Sequence, residues 1–378
     1  MNLFFDSPME DPNRRAELYR GSVFVYSPSP SALKLCEFAR ELIETAFHPL
    51  DPREVQEKMP VERCVEILAE LKPKFIHHPK SKELIQALLT ERGCNLEKTY
   101  FDVPRLRTAF PSDYLSSGIA YAFHPHRDTW YSAPGAQVNW WMPVYDVCPD
   151  NIMAFHPRYF SEAIPNNSKT YNYYEWNRTG RQSAATNVKQ DVRVQPRPQV
   201  PLEPDPQVRV VANVGGLMLF SAAQLHSTVP NTCGVTRYSI DFRTVHLEDV
   251  YNKVGAANID SSATGTTMRD YLEPRTSRTS PRRRWHSTSM EPRQSLLLRR
   301  MLHRREPGRD GERSLYSGVQ IGHARLGYEQ PSGRESGRRR RCKRRNRTGH
   351  YISIGAARRE VVRGRKRRGS ACGNRCGC

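Results

Sequence analysis

Phe123-His124-Pro125-His126-Arg127-Asp128-Thr129-Trp130 is the stretch on which the reading of this chain turns. His126 and Asp128 are two residues apart, so on an extended backbone their side chains project to the same face. An imidazole and a carboxylate presented that way can bind one metal ion from neighbouring positions. Alone the pair is a weak signal, because three-residue matches arise by chance and a His–Asp couple is often only hydrogen-bonded. Downstream, Gly215-Gly216-Leu217-Met218-Leu219-Phe220 reads as a turn into a buried strand that leads to Leu225-His226-Ser227-Thr228-Val229-Pro230-Asn231. Eleven residues beyond His226, Arg237 opens the run Arg237-Tyr238-Ser239-Ile240-Asp241-Phe242-Arg243. Here Ile240 and Phe242 alternate with polar residues, and an arginine facing inward on that strand needs an anionic partner.

Around these motifs the texture is that of short strands. Ala120 to Phe123, Gln137 to Val144, Ile152 to Phe155, Val208 to Val214, Leu217 to Phe220 and Tyr238 to Val245 are aromatic and β-branched runs broken by Pro, Gly and Asn. Ser168 to Asp205 is a polar, proline-rich excursion that carries Tyr171, Tyr173, Tyr174 and Trp176, the composition of a functional lid or a disordered loop. Residues 1–100 read as helical. Leu35, Phe38, Leu42 and Ala46 share a helical spacing, a new helix is expected from Asp51-Pro52, and Val61 to Leu71 should stop before Pro73. Glu83 to Arg92 should end on Gly93. Helices followed by antiparallel strands make a mainly β domain with flanking α, a sandwich or jelly roll buttressed by helices. Its strands should occupy 101–272.

The net charge of +20 over 378 residues suggests a nucleic-acid binder, but the charge is not evenly spread. Arg275 to Cys378 hold 30 Lys and Arg against 7 Asp and Glu, which leaves 29 against 32 in the rest. A near-neutral body therefore precedes a very basic tail, 273–378, whose composition cannot offset the entropy of ordering and reads as disordered. If the tail is native, Arg338 to Arg341 with Lys343, Arg344 and Arg345 would bind DNA or RNA phosphates in a salt-dependent way. A C-terminus read in a shifted frame, with no selected function, is the competing explanation. Cys36, Cys64, Cys94, Cys148 and Cys233 are scattered without CxxC pairs, as in a reducing compartment. Cys372, Cys376 and Cys378 crowd the end as a thiol cluster. No apolar run is long enough to span a bilayer and the start lacks a signal-peptide pattern, so a cytoplasmic location is expected.

Two His and one Asp compose the facial triad of non-haem Fe(II) oxygenases, with open metal positions. A nearby Arg can hold the far carboxylate of a dicarboxylate in a bidentate fork. On these residues the chain resembles the Fe(II)/2-oxoglutarate-dependent oxygenases of the phytanoyl-CoA dioxygenase-like superfamily, whose pattern is HxD, a His about a hundred residues on, and an Arg some ten beyond. The stretch Trp140-Trp141-Met142-Pro143-Val144-Tyr145-Asp146-Val147 to Phe155-His156-Pro157 is similar to the strand and turn that follow HxD in that family. The resemblance covers Leu106 to Val245 well, the N-terminal helices loosely, and stops near Leu272. It implies a double-stranded β-helix of cupin-like type. It also implies Fe(II) on His126, Asp128 and His226, with 2-oxoglutarate held by Arg237 and helped by Thr228. The activity implied is oxidation of a small-molecule substrate by O2 with release of succinate and CO2. Relatives that halogenate have a small residue in place of the carboxylate, so Asp128 favours hydroxylation. A metal-binding relative without catalysis is the alternative.

Substrate identity is not encoded this plainly. Tyr121, His124, Trp130, Tyr131 and Trp140 stand near the motif and either line a pocket or fill the core, and Tyr173 and Trp176 are candidates for a closing lid. His156 reads as a turn residue. His77, His78 and His246 have no carboxylate at useful spacing.

Overall fold

The computed structural model describes residues 1–180, 188, 193–273 and 350–353. All of these belong to one compact unit; a second unit, Thr288–Thr348, lies outside the described residues.

Two sheets face one another. The larger runs in the order β1 (Leu3–Phe5), β2 (Val23–Tyr26), β8 (Leu217–Ser221), β5 (Val138–Pro143), β10 (Arg237–His246) and β3 (Thr99–Phe101), with β4 (Arg105–Ala109) also on β10. The smaller runs β11 (His350–Ser353), β7 (Val208–Val211), β6 (Met153–Phe155) and β9 (His226–Thr228). Among the described residues the strands pair antiparallel with their neighbours except in two pairs, β1 with β2 and β11 with β7, which are parallel.

The period of two along a strand splits the large sheet into two environments. Tyr238, Ile240 and Phe242 of β10 join Trp140, Met142, Leu217 and Leu219 against helices α1 (Asp11–Tyr19), α2 (Pro30–Phe47), α4 (Val61–His77) and α5 (Pro79–Glu91). Ile240 and Phe242 are fully buried there, each contributing about 1.5–3 kcal/mol of burial. On the other face Val23, Val25, Trp141, Met218 and Phe220 meet Met153, Phe155 and Val210 of the smaller sheet in a second core. Arg237, Ser239, Asp241 and Arg243 share that inner parity. So β10 shows an apolar face to the helices and a charged face to the space between the sheets.

Several expectations are corrected. The first hundred residues are not only helical, because β1 and β2 complete one edge of the large sheet. The helix from Val61 does not stop before Pro73 but runs to His77. Leu68, Leu71 and Phe75 keep packing into the core across the proline, which outweighs the roughly 3 kcal/mol that a helical proline costs. Gly93 does close α5 in the left-handed conformation, at φ +72°. Ala120 to Phe123 is not a strand: Gly118–Ala120 form a single 3-10 turn, and the Phe123 N–H goes to the Thr228 hydroxyl instead of a ladder. The five body cysteines do not all stand apart, since Cys148 and Cys233 are joined by a disulfide while Cys36, Cys64 and Cys94 are free and buried. Within the stretch expected to be disordered, His350–Ser353 lie parallel to β7 as β11. The other tail residues beyond Glu273, including the arginine run and the terminal cysteines, lie outside the described residues. No helix among the described residues is long and apolar enough to cross a membrane.

Candidate metal centre

His126 and His226, 100 residues apart in sequence, meet as a directly hydrogen-bonded backbone pair. The N–H of each donates to the carbonyl of the other at 3.0 Å, and their rings stand 4.3 Å apart between centroids. Asp128 follows where the chain leaves this bridge for a 3-10 turn, Asp128–Tyr131, with its N–H on the Ala222 carbonyl at 2.9 Å. One ligand atom from each of His126, Asp128 and His226 lies within 4.8 Å of the others. The His126 and Asp128 side chains are only 6% and 13% exposed, so the cluster is nearly closed to solvent.

The hydrogen bonds around the triad fix which atoms face inward. Nδ1 of His126 lies 2.8 Å from the His124 carbonyl, and Nδ1 of His226 lies 3.0 Å from the Gln224 carbonyl. A carbonyl only accepts, so each Nδ1 carries the proton and each Nε2 presents a lone pair, the arrangement that a metal-binding imidazole requires. Burial, with the adjacent His126, lowers His226 to about 4, which keeps it neutral and able to ligate. Burial alone would raise the Asp128 carboxyl, but the nearby cation of Arg243 helps hold it well below the usual carboxylate range. Its Oδ2 accepts from Gln137 Nε2 at 3.0 Å and Asn139 Nδ2 at 2.8 Å. Gln137 is steadied in turn by the Tyr271 hydroxyl, which donates to its Oε1 at 2.8 Å. Oδ1 is left to face the imidazoles. The donor set, two neutral nitrogens and one carboxylate oxygen, suits a divalent first-row metal.

Arg237 sits further along the inner face of β10, 7% exposed. One guanidinium nitrogen donates to the Asn151 carbonyl at 3.0 Å, and the guanidinium lies 5.9 Å from the Trp141 ring. Its Nε is buried without a partner, and so is the Ser239 hydroxyl two residues on. The carboxylate that acts on it electrostatically, Asp241, is already engaged by Arg107 at 2.6 Å. Burial pulls Arg237 down to about 10. Among the described residues no carboxylate pairs with Arg237. An enclosed cation beside an orphaned hydroxyl has donors to offer an anion of the right length. The Thr228 hydroxyl accepts from the Phe123 N–H at 3.1 Å and keeps its own hydrogen to donate.

The candidate pocket residues divide. Tyr131 stands 5.3 Å from the His126 ring and 5.2 Å from Tyr171, and Tyr171 leads to Trp176 at 6.4 Å. Phe123 lies 5.0 Å from His126 and 4.9 Å from Tyr121, whose ring is also 6.3 Å from the exposed His124. These rings form an aromatic wall beside the triad. Trp130 is not part of it. Fully buried among Tyr159, Ile164 and Leu225, it donates to Asp260 at 2.7 Å and belongs to the core. Trp140 stacks on Phe242 in the helix-side core. Tyr173 is turned inward, buried, with its hydroxyl on Asp270. His156 bonds Ser227 Oγ at 3.0 Å, as a turn residue would.

Sequence reasoning missed Gln137, Asn139, Tyr271, Asp260 and Ser239. Asn139 carried a signal, because it is a polar residue inside the apolar strand Val138–Pro143. Tyr271 and Asp260 become visible only when distant segments meet.

No family model and no curated protein matches the chain. Among solved structures it is similar to EvdO2 from Micromonospora carbonacea var. aurantiaca complexed with 2-oxoglutarate (TM-score 0.36, 11% identity, covering 64% of this chain and 92% of that one). It is also similar to a non-heme monooxygenase, ThoJ (TM-score 0.33, 13% identity, 67% and 89%). A third similar structure is SnoN, the non-heme alpha-ketoglutarate-dependent epimerase from nogalamycin biosynthesis (TM-score 0.31, 15% identity, 68% and 97%).

Proposed function

We propose that this chain is a non-haem Fe(II)/2-oxoglutarate-dependent dioxygenase with a double-stranded β-helix core, hydroxylating a small-molecule metabolite. The observation that carries the reading is the His126–Asp128–His226 cluster, with both Nδ1 atoms committed to carbonyls and His126 Nε2 3.6 Å from Asp128 Oδ1. Fe(II) on these three residues would supply open positions for the keto-acid end of 2-oxoglutarate and for O2. Every other part of the task falls to the chain itself. Arg237, with Ser239 and Thr228, binds the distal carboxylate and so selects a dicarboxylate of one length. Gln137 and Asn139 hold Asp128 in the orientation that leaves one oxygen directed at the imidazoles. Tyr121, Phe123, Tyr131 and Tyr171 exclude water and give the substrate an aromatic surface to lie on. A carboxylate at 128 supports hydroxylation over halogenation.

The test is O2-dependent release of succinate from 2-oxoglutarate in the presence of Fe(II), screened across small-molecule classes. His126→Ala and His226→Ala should each abolish it. Succinate release that persists in either variant would refute the assignment.

A further inference from the structure

We propose that Arg127, the residue between the two ligands of the HxD stretch, is the positioning residue of the metal centre and acts through the buried carboxylate of Asp260. This rests on the reading of His126, Asp128 and His226 as metal ligands. The Arg127 side chain is 1% exposed and leaves the backbone on the side away from its two neighbours. Nε donates to Asp260 Oδ2 at 3.0 Å, and one terminal nitrogen donates to the Ala223 carbonyl at 2.6 Å. The other donates to the carbonyls of Tyr159 and of Glu162, the latter at 2.9 Å. Ala223 is the residue after Ala222, which receives the Asp128 N–H, and it lies three before His226. The guanidinium thus grips the approach to the second histidine from within the segment that carries the first.

Asp260 completes the clamp. Besides Arg127 it accepts from Trp130 Nε1 at 2.7 Å and from the Ile164 N–H at 3.1 Å, with its own side chain 4% exposed. One carboxylate therefore receives donors from both sides of the HxD turn and from the 159–164 segment. A planar fork spanning three chain segments fixes their separation, which a lysine at the same place, a point charge on a flexible stem, does not do. Metal ligation depends on that separation to within about 0.5 Å.

A stability role alone is separable from positioning by a control. Arg14 is also buried, 3% exposed, and bonds Asp11 at 2.7 Å and the Arg92 carbonyl at 2.9 Å, in the helical layer. Anaerobic titration with Co(II) as the probe, read by its visible absorption, is run on wild type, Arg127→Lys, Asp260→Asn and Arg14→Lys, with unfolding midpoints taken alongside. Arg127→Lys should weaken Co(II) binding by about 10- to 100-fold and change the shape of the spectrum, with Asp260→Asn moving the same way. Arg14→Lys should lower the midpoint yet bind Co(II) as wild type does. A folded Arg127→Lys with wild-type affinity and spectrum overturns the proposal, as does an equal loss in Arg14→Lys. If Arg127→Lys fails to fold, Asp260→Asn decides by the same criteria. Wild type that binds no Co(II) defeats the metal reading itself, and this inference with it.

Discussion

Arg127 and Arg237 are both buried guanidiniums, and their surroundings differ in one respect. Arg127 has a carboxylate and three carbonyls around it. Among the described residues Arg237 has a single carbonyl and an Nε without a partner. A protein that keeps a cation in the first state is holding itself together. One that keeps a cation in the second state carries a desolvation cost that an incoming anion relieves. The same chemical group is thus satisfied within the protein in one place and left with a donor to offer in the other.

The largest expected effect breaks the comparison most easily. Arg127→Met leaves Asp260 buried with its main partner gone, and we expect a loss of about 3–5 kcal/mol in urea unfolding. Arg237→Met removes a cation that lacks an anionic partner, so without ligand its unfolding free energy should stay within about 1 kcal/mol of wild type. Equal losses in the two variants would erase the distinction.

Ligand binding should reverse the ranking. With Fe(II) bound, 2-oxoglutarate binding should weaken in Arg237→Met by about 1.5–3 kcal/mol, the range for hydrogen bonds to charged groups, measured by isothermal titration. Wild type at 100 times its dissociation constant should gain about 2.7 kcal/mol of stability from the ligand, and at the same ligand concentration this gain should fall to about 0.3–1.3 kcal/mol in the variant.

Lys72 supplies an intermediate case. Its amine has only neutral acceptors, the Ile119 carbonyl at 2.5 Å and the Thr108 hydroxyl at 3.3 Å. Burial, with the nearby cation Arg107, lowers it to about 7. An unfolded lysine titrates near 10.4, so between these values the unfolded chain binds more protons and stability rises with pH. The contribution is complete above the unfolded value and is lost as pH falls through about 7. Partial exposure reduces the size, and we expect wild type to gain about 1–2 kcal/mol more than Lys72→Met between pH 7 and pH 9. Parallel pH profiles would show that Lys72 is solvated. The smallest effect belongs to Ser239→Ala, which should weaken 2-oxoglutarate by about 0.5–1.5 kcal/mol with little change in apo stability; an unchanged affinity would remove Ser239 from the site.

What the sequence disclosed followed from periodicity and from motif spacing. The strands Val138–Pro143, Leu217–Ser221 and Arg237–His246 were legible because apolar residues recur along them and turn residues bound them. His126, Asp128 and His226, which the structure brings together, were legible because their spacing is a pattern; Arg237 was read with them on that spacing alone. The strands Leu3–Phe5 and Val23–Tyr26 were not legible, since three- and four-residue runs beside strong helices carry too little periodicity, and only the free edge of the large sheet recruits them. Trp130 and Tyr173 were misplaced for a related reason. An aromatic near a motif looks the same in sequence whether it faces a pocket or a carboxylate, and Asp260 and Asp270 decide the matter from more than 90 residues away. The support of Asp128 by Gln137 and Asn139 is local, and an asparagine inside an apolar strand was its one trace.

The central claim is that His126, Asp128 and His226 hold one Fe(II) and that Arg237 seats 2-oxoglutarate beside it. Anaerobic titration of the folded protein with both, followed by visible absorption, tests this without knowledge of the substrate. A weak metal-to-ligand charge-transfer band is expected that saturates at one equivalent of each, is lost in His226→Ala, and in Arg237→Met appears only at higher 2-oxoglutarate. A folded wild type with no band, or a band undiminished in His226→Ala, would contradict it.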